Sequence, residues 1–218
     1  MSSIGVLGGA FNPPHIGHLL LAREAREQLA LDEVVLVPTG VAPHKRIDPE
    51  PGQELRLEMT RLAAADAGVD SVETWLTVSA LEVEREGPSF AYRTLELLAD
   101  ERPGSQLTFV MGADAAAGLE GWRRPERVLE LARVAVADRP GAQRDAVDEV
   151  VERLGDDRGA LAIEMPQIGI SSSLVRDRVA AGRSVRWLVP EPVAGLIAQR
   201  GLYGSSTSST GAATEVPR

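Results

Sequence analysis

Gly8-Gly9-Ala10-Phe11-Asn12-Pro13-Pro14-His15-Ile16-Gly17-His18 is the stretch from which the fold can be predicted. It follows a short apolar run, Ile4–Leu7, of the kind that forms a β-strand. After it, Leu19–Leu29 repeats apolar side chains at helical spacing and carries charged side chains on the opposite face. The stretch therefore predicts a turn that leads from a strand into a helix, with His15 and His18 at the start of that helix.

The residues of this turn suit the binding of an anion. The start of a helix has unpaired backbone N–H groups and about half a positive charge, and both attract phosphate. Gly8 and Gly9 have no Cβ, so the backbone can approach a phosphate closely. His15 and His18 are three residues apart, so both imidazoles lie on one helical face and can donate to the same anion. The alternative is structural: the glycines serve only the turn, and the histidines cap the helix or are partly buried.

The composition excludes several kinds of protein. The chain has 218 residues, 44% of them apolar and 25% charged, which is ordinary for a soluble globular domain. Its net charge of −9 argues against a nucleic-acid-binding surface, although a nucleotide site needs only a few local cations. The absence of cysteine excludes disulfides and cysteine nucleophiles and fits a reducing cytosol. Because no signal peptide or long apolar run is present, we expect a cytoplasmic protein with no membrane partner.

Short apolar runs alternate with helical segments along the chain. The runs are continuous, as in parallel strands that are buried on both faces. They are Val34–Val37, Leu107–Met111, Val134–Ala137 and Ala160–Glu164. This alternation predicts an α/β fold with a doubly wound parallel sheet in one domain of residues 1–204. We also expect strand structure within Val78–Glu84, and a helix that opens at Pro88-Ser89 with Ser89 as its cap. Residues 205–218 are rich in Ser, Thr, Gly and Ala, which predicts a disordered tail.

Three further loops carry polar or charged side chains. Pro43-His44-Lys45-Arg46 follows the second strand, Gly112-Ala113-Asp114 follows Leu107–Met111, and Ile170-Ser171-Ser172-Ser173 precedes a helix that contains Arg176. In open α/β sheets, ligands bind at the carboxyl ends of the strands, so we expect the loops to gather at one edge. Each loop also has a structural alternative, because the basic loop can be a solvated surface and the serines and Asp114 can be helix caps.

Taken together, these motifs resemble a known family. Gly8–His18 is similar to the signature G-G-x-F-[DN]-P-x-H-x-G-H of the nucleotidylyltransferase superfamily, and Ile170–Arg176 resembles its signature I-S-S-[ST]-x-[IV]-R. Four further features narrow the resemblance to bacterial nicotinate-nucleotide adenylyltransferases. They are Pro38 with Pro43-His44-Lys45, Pro88-Ser89-Phe90, Gly112-Ala113-Asp114 and Trp122. The resemblance spans residues 4–203 and implies a Rossmann-like nucleotidyltransferase fold.

The resemblance implies transfer of the adenylyl group of ATP to nicotinate mononucleotide, giving nicotinate adenine dinucleotide and pyrophosphate in NAD biosynthesis. The catalytic residues that it implies are His15, His18, Lys45 and Arg176. The ATP-binding residues that it implies are Gly8, Gly9, Ala10, Phe11, His15, His18, Gly112, Asp114, Ile170, Ser171, Ser172, Ser173 and Arg176. The residues implied for the mononucleotide are Asn12, His44, Lys45, Ser89, Tyr92 and Trp122. Mg²⁺ is expected to arrive with the triphosphate. The expected partners are small-molecule substrates, and a homo-oligomer stays open.

Two positions depart from the family pattern. Asn12 stands where bacterial members usually carry Asp. Arg93 stands where the family sequence T-x-D-T-L has its Asp, so a carboxylate is replaced by a cation near the expected pyridine pocket. If Arg93 faces that pocket, it favours nicotinate over nicotinamide. If it faces solvent, it has no part in the choice.

Other functions are also compatible with the motifs. A phosphopantetheine adenylyltransferase, or a cytidylyltransferase acting on a phosphorylated alcohol, would use the same phosphate-binding signatures. A class I aminoacyl-tRNA synthetase also has an H-I-G-H element, but the short acidic chain and the absent K-M-S-K-S loop argue against it. A regulatory protein that binds a nucleotide without turnover is the alternative from another class. The presence of both histidines, Lys45 and Arg176 favours an enzyme that works by positioning and charge stabilisation.

Overall fold

The computed structural model describes residues 1–43, 47–67, 74–138 and 144–204, except for the side chains of Asp114, Asp138 and residues 144–147. Within these ranges six strands form one sheet. They are β1 (Ser3–Gly9), β2 (Glu33–Pro38), β3 (Leu76–Val78), β4 (Gln106–Gly112), β5 (Ala132–Asp138) and β6 (Leu161–Glu164). His44, Lys45 and residues 205–218 lie outside the described residues. What was predicted for them, including the division into a domain and a tail, stays a prediction.

The sheet has the strand order β3-β2-β1-β4-β5-β6, and every neighbouring pair is parallel. Val6 in the centre of β1 lies opposite Val35 of β2 on one side and Phe109 of β4 on the other. The chain builds one half of the sheet outward from β1 and then returns to build the other half from β4. The predicted doubly wound sheet is confirmed. The reversal between β1 and β4 opens a crevice at their carboxyl ends, where such sheets bind ligands.

Helices follow most of the strands and cover both faces of the sheet. They are α1 (Ile16–Gln28), α2 (Gln53–Ala67), α3 (Ala91–Glu101), α4 (Ala113–Ala117), α5 (Pro125–Leu131), α6 (Arg144–Arg153), α7 (Ser172–Ala180) and α8 (Glu191–Arg200). Across the described ranges, none of the helices combines the length and the apolar character that a bilayer crossing requires.

The core explains why the strands are continuous apolar runs. Val6 packs in a cluster with side chains of α3, α5 and α6, whereas its neighbour Leu7 packs with α1 and α2 in a second cluster. Successive side chains of a strand point to opposite faces, so both faces of the sheet are covered. A third cluster joins α2 to α7 and α8 through residues such as Met59, Val175 and Val193. This cluster fixes α7 against α2.

Two local predictions are wrong. Residues 81–84 form turns rather than a strand, and the amides of Val83 and Glu84 both donate to the carbonyl oxygen of Ala80 at 2.9 Å. Their pattern resembled a strand because the turn buries neighbouring side chains. Ser89 does not cap the next helix, whose N-cap residue is Phe90. The Ser89 hydroxyl instead accepts a hydrogen bond from the amide of Gly40 at 3.1 Å, which ties the start of α3 to the loop after β2.

Candidate active site

The first turn of α1 holds two stacked imidazoles. His15 is the N-cap residue, and its ring centroid lies 3.8 Å from that of His18. Nδ1 of His18 accepts a hydrogen bond from the backbone N–H of His15 at 3.2 Å. A ring nitrogen that accepts carries no proton, so in neutral His18 the proton is on Nε2. The turn therefore fixes His18 as a hydrogen-bond donor through Nε2.

Both imidazoles are neutral at pH 7. Burial lowers the pKa of His15 from 6.5 to about 4. Burial of the His18 ring holds its pKa well below 6.5, and the neighbouring His15 lowers it further. Removal from water disfavours the charged form of each ring. A positive charge on one ring also repels a positive charge on the other, so protonation of both is disfavoured. A neutral imidazole donates one hydrogen bond, so the pair can offer N–H groups to an anion before any proton is taken up.

Close packing sets the position of this pair. Phe11 is buried and meets the His18 ring edge-on, with ring centroids 5.0 Å apart. A Cβ at Gly17 would lie 3.1 Å from two atoms of the His15 ring, so a larger residue would push that ring away from the helix by a few tenths of an ångström. The amide of Ile16 already donates to the carbonyl oxygen of Leu188 at 3.0 Å. A phosphate at this helix start must therefore accept hydrogen bonds from donors other than the Ile16 amide. The imidazole N–H groups of His15 and His18 are such donors.

The start of α7 is bonded directly to the loop between β1 and α1. The hydroxyl of Ser172 donates to the carbonyl oxygen of Pro13 at 2.8 Å. One terminal nitrogen of Arg176 donates to the carbonyl oxygen of Asn12 at 2.8 Å, and the other donates to the hydroxyl of Ser173 at 3.1 Å. The two sequence signatures, more than 150 residues apart, thus form one structural unit. A guanidinium has five N–H donors, so Arg176 retains donors for a ligand.

The other predicted ATP-binding residues lie at the edges of this unit. Ser171 is the N-cap of α7, and its hydroxyl accepts a hydrogen bond from the amide of Leu174 at 3.1 Å. Ile170 packs against the cluster that joins α2, α7 and α8. Gly112 is the N-cap residue of α4, and Asp114 lies in the first turn of that helix.

Asn12 is buried and bonded to the protein at both ends of its amide. Its Nδ2 donates to the carbonyl oxygen of Pro49 at 2.7 Å, and its Oδ1 accepts from the hydroxyl of Tyr203 at 2.6 Å. Burial raises the pKa of Tyr203, so this hydroxyl remains a donor. An Asp here could not donate to Pro49, which gives a structural reason for Asn12. Tyr203 was not predicted, because no local pattern marks a residue 191 positions away.

Arg56 is a second residue that the sequence interpretation missed. Its side chain is fully buried, and it donates to the carbonyl oxygens of Ala10 at 2.9 Å, Thr39 at 2.6 Å and Gly40 at 3.1 Å. Its Nε donates to Glu50 at 2.9 Å. A usable signal was present: an arginine at position 56 has apolar residues three and seven positions later, which places it on the buried stripe of α2.

An aromatic group lies beside the start of α3. The ring of Trp122 meets that of Phe109 edge-on, with centroids 6.0 Å apart. Tyr92 stacks on Phe90 at 6.0 Å. Arg124 lies over the ring of Tyr92, 5.2 Å from its centroid. The structure thus places the predicted residues Tyr92 and Trp122 against the same core cluster, next to α3.

Arg93 faces away from this group. Its guanidinium bonds to Glu96 at 3.1 Å, and about half of its side chain is exposed. Of the two alternatives left open by the sequence, the exposure of Arg93 and its bond to Glu96 favour solvent. Two other cations lie closer to the aromatic rings. Arg123 lies 5.4 Å from the centroid of Phe90, in addition to Arg124 over Tyr92.

A doubly wound sheet that brings two stacked imidazoles and an arginine to the loop after β1 is the arrangement expected of a nucleotidyltransferase. The model of the cytidylyltransferase-like family matches residues 6–178, which includes both signatures. The chain belongs to this family, in the branch formed by the nicotinate-nucleotide adenylyltransferases.

Curated relatives carry the evidence for that branch. One from Geobacillus thermodenitrificans is 38% identical over 208 residues, covering 95% of this chain and 89% of the relative. One from Roseiflexus is 42% identical over 202 residues, covering 92% and 97%. Both are named "Probable nicotinate-nucleotide adenylyltransferase".

The fold also has a close counterpart among solved structures. Nicotinic acid mononucleotide adenylyltransferase of Plasmodium falciparum, solved with NaAD, superposes with a TM-score of 0.72. The superposition covers 93% of this chain and 98% of that one, at 17% identity. At this identity the similarity demonstrates a shared fold, and the Rossmann-like nucleotidyltransferase fold is confirmed.

Proposed function

We propose that this protein is a nicotinate-nucleotide adenylyltransferase of NAD biosynthesis. It transfers the adenylyl group of ATP to the 5′-phosphate of nicotinate mononucleotide and releases pyrophosphate. The observation that carries the proposal is the hydrogen bond from the His15 amide to Nδ1 of His18, because it leaves Nε2–H of His18 to donate to a phosphate. Full-length relatives with that name support the choice of substrates.

The reaction needs positioning and charge stabilisation rather than a covalent enzyme intermediate. A phosphate oxygen of the mononucleotide forms a bond to the α-phosphorus of ATP. The bond from that phosphorus to the β-bridging oxygen breaks, and its electron pair leaves with pyrophosphate. The attacking oxygen belongs to an ionised phosphate, so no protein base has to remove a proton.

Each side chain at the helix starts has a role in this scheme. His18 donates to an oxygen of the α-phosphate through Nε2, where negative charge develops. His15 holds the triphosphate, and Ser172, Ser173 and Arg176 hold its β/γ end. Lys45 neutralises charge between the two substrates. The backbone at Gly8–Phe11, Gly112, Asp114, Ile170 and Ser171 completes the ATP site. Mg²⁺ enters as part of the ATP substrate.

The pyridine ring is assigned to the aromatic group beside α3. Trp122 offers a partly exposed face, and Tyr92 lies at the start of the helix. The N-cap residue Phe90 has no side-chain acceptor, and the amide of Arg93 already donates to the carbonyl oxygen of Phe90, so the amides of Ala91 and Tyr92 are the ones assigned to the carboxylate of nicotinate. Arg123 and Arg124 add positive charge beside these amides. A carboxylate only accepts hydrogen bonds, so this arrangement favours nicotinate over nicotinamide.

The test measures pyrophosphate release from ATP and Mg²⁺ with three acceptors: nicotinate mononucleotide, nicotinamide mononucleotide and phosphopantetheine. We expect nicotinate mononucleotide to have the highest kcat/KM, with the dinucleotide identified by mass spectrometry. A preference for phosphopantetheine would move the chain to another branch of the family. No turnover with any acceptor would indicate a nucleotide-binding regulator. The reaction is expected in the cytoplasm, in keeping with a chain that has no cysteine.

A further inference from the structure

Arg56 joins two loops that follow neighbouring strands. One is the loop after β1, where its guanidinium holds the carbonyl oxygen of Ala10. The other is the loop after β2, where it holds the carbonyl oxygens of Thr39 and Gly40. Glu50, further along the same connection between β2 and α2, fixes its Nε. A single buried side chain therefore spans the gap between two separate pieces of backbone.

Asn12 makes a second bond between the same two parts of the chain. Its side chain extends from the loop after β1 to the carbonyl oxygen of Pro49, next to Glu50. The opposite side of Gly40 is also occupied, since its amide donates to Ser89. The loop after β2 is thus fixed from both sides. The amide of Thr39 also donates to the carbonyl oxygen of Gly9 at 2.9 Å, which joins the ends of β1 and β2, and Arg56 adds three bonds just beyond that point.

We propose that Arg56 is a positioning residue that sets the separation between the ATP half-site and the mononucleotide half-site. The inference rests on the proposed function, in which the loop after β1 carries ATP and the mononucleotide lies beside the start of α3, which Ser89 joins to Gly40 of the loop after β2. In-line attack requires the attacking phosphate oxygen of the mononucleotide to lie within about 3–3.5 Å of the α-phosphorus of ATP. An error of about 1 Å in this distance lowers the rate about 10²-fold. Arg56 holds both loops and needs no contact with either substrate.

The planar geometry of the guanidinium group is essential to this role. One terminal nitrogen donates to the carbonyl oxygens of Ala10 and Thr39, and the other terminal nitrogen donates to that of Gly40. Lysine keeps the charge but has a single ammonium group on a flexible stem, so it cannot reproduce the three directions at once. Arg56→Lys should therefore preserve the buried charge and loosen the separation of the loops.

The experiment compares ligands that occupy one half-site with a ligand that occupies both. Calorimetry on Arg56→Lys would measure Kd for ATP, for nicotinate mononucleotide and for the product dinucleotide. Each substrate depends on one loop, whereas the dinucleotide depends on the distance between them. We expect substrate Kd values within about 3-fold of wild type, product Kd weakened by at least ~10-fold, and kcat lowered about 10²-fold.

Asp156→Asn is the matched structural control. Asp156 is a buried carboxylate bonded to Arg158 at 2.7 Å, before β6 and at the sheet edge opposite the site. This variant should lower the melting temperature and leave kcat and the ratio of product to substrate Kd unchanged. Equal weakening of substrates and product in Arg56→Lys, or an unchanged product Kd, would overturn the role assigned to Arg56.

A second variant covers the case in which Arg56→Lys does not fold. Asn12→Ala removes only the bond to Pro49 and the acceptor for Tyr203, and it should weaken the product relative to the substrates by about 3–10-fold, one lost hydrogen bond being worth about 1 kcal/mol. An unchanged ratio would overturn the inference. If wild-type protein does not use nicotinate mononucleotide at all, it is the proposed function that fails, and the two failures are distinguishable.

Discussion

Acidification from pH 7 to pH 5 should destabilise this protein through His15. At pH 5 a histidine of the unfolded chain, with a pKa of 6.5, is protonated, whereas His15 in the folded protein, with a pKa of about 4, is mainly neutral. The unfolded state thus binds more protons, and stability falls as the pH falls from 6.5 towards 4. One pKa unit corresponds to about 1.4 kcal/mol, so His15 accounts for a loss of about 2 kcal/mol between pH 7 and pH 5.

His15→Asn isolates this contribution. Asparagine is a good N-cap residue and does not titrate, so the variant keeps the helix start and loses the proton linkage. Urea unfolding followed by circular dichroism at pH 7, 6 and 5 gives the free energy of unfolding of both proteins. Wild type should lose about 2 kcal/mol more than His15→Asn over this range. His18 and Glu82 are present in both proteins, and because burial is the larger cause of the lowered pKa of His18, with His15 the smaller one, most of their contribution cancels. Parallel losses in the two proteins would show that the His15 ring is solvated, and the argument from burial would fail.

Three further outcomes are expected. Gly40→Ala places a Cβ onto the carbonyl oxygen of Glu82 and should lower stability by about 1–3 kcal/mol in urea unfolding, whereas Gly195→Ala meets no neighbour and should not destabilise. Burial raises the pKa of the Glu82 carboxyl, so its ionisation opposes folding, and Glu82→Gln should gain stability relative to wild type as the pH rises above 4.5. His18→Ala should remain folded, with a lower melting temperature because the His15 amide loses its acceptor, and should lose about 10²–10³-fold in kcat; near-normal turnover at saturating ATP would contradict its role.

The fold could be predicted because its signals are local. Continuous apolar runs such as Val34–Val37 and Leu107–Met111 indicated parallel strands, and both are central in the sheet. The hydrophobic pattern gave a wrong prediction where the segment was short. Residues 81–84 alternate as a strand would, but four residues are too few to distinguish a strand from a turn that buries two side chains.

The site could be predicted only in part. The stretch from Gly8 to His18 acts as a unit in sequence and in space, so its place was clear. The residues that hold it, Arg56 and Tyr203, are 46 and 191 positions from the atoms they bond. Such contacts depend on how α2 and the end of the chain pack against the sheet. The orientation of Arg93 could not be predicted for the same reason. Its partner Glu96 lies three residues later in the sequence, but the position of the pocket depends on tertiary packing.

The hydrogen bond between Tyr203 and Asn12 has a consequence for synthesis on the ribosome. The loop that follows β1 is translated well before Tyr203, so the buried side-chain oxygen of Asn12 finds its partner only when residue 203 has emerged, 191 residues later. Until then the nascent chain holds an amide that must remain hydrated. The motif therefore completes this hydrogen bond only after a further 191 residues have been made.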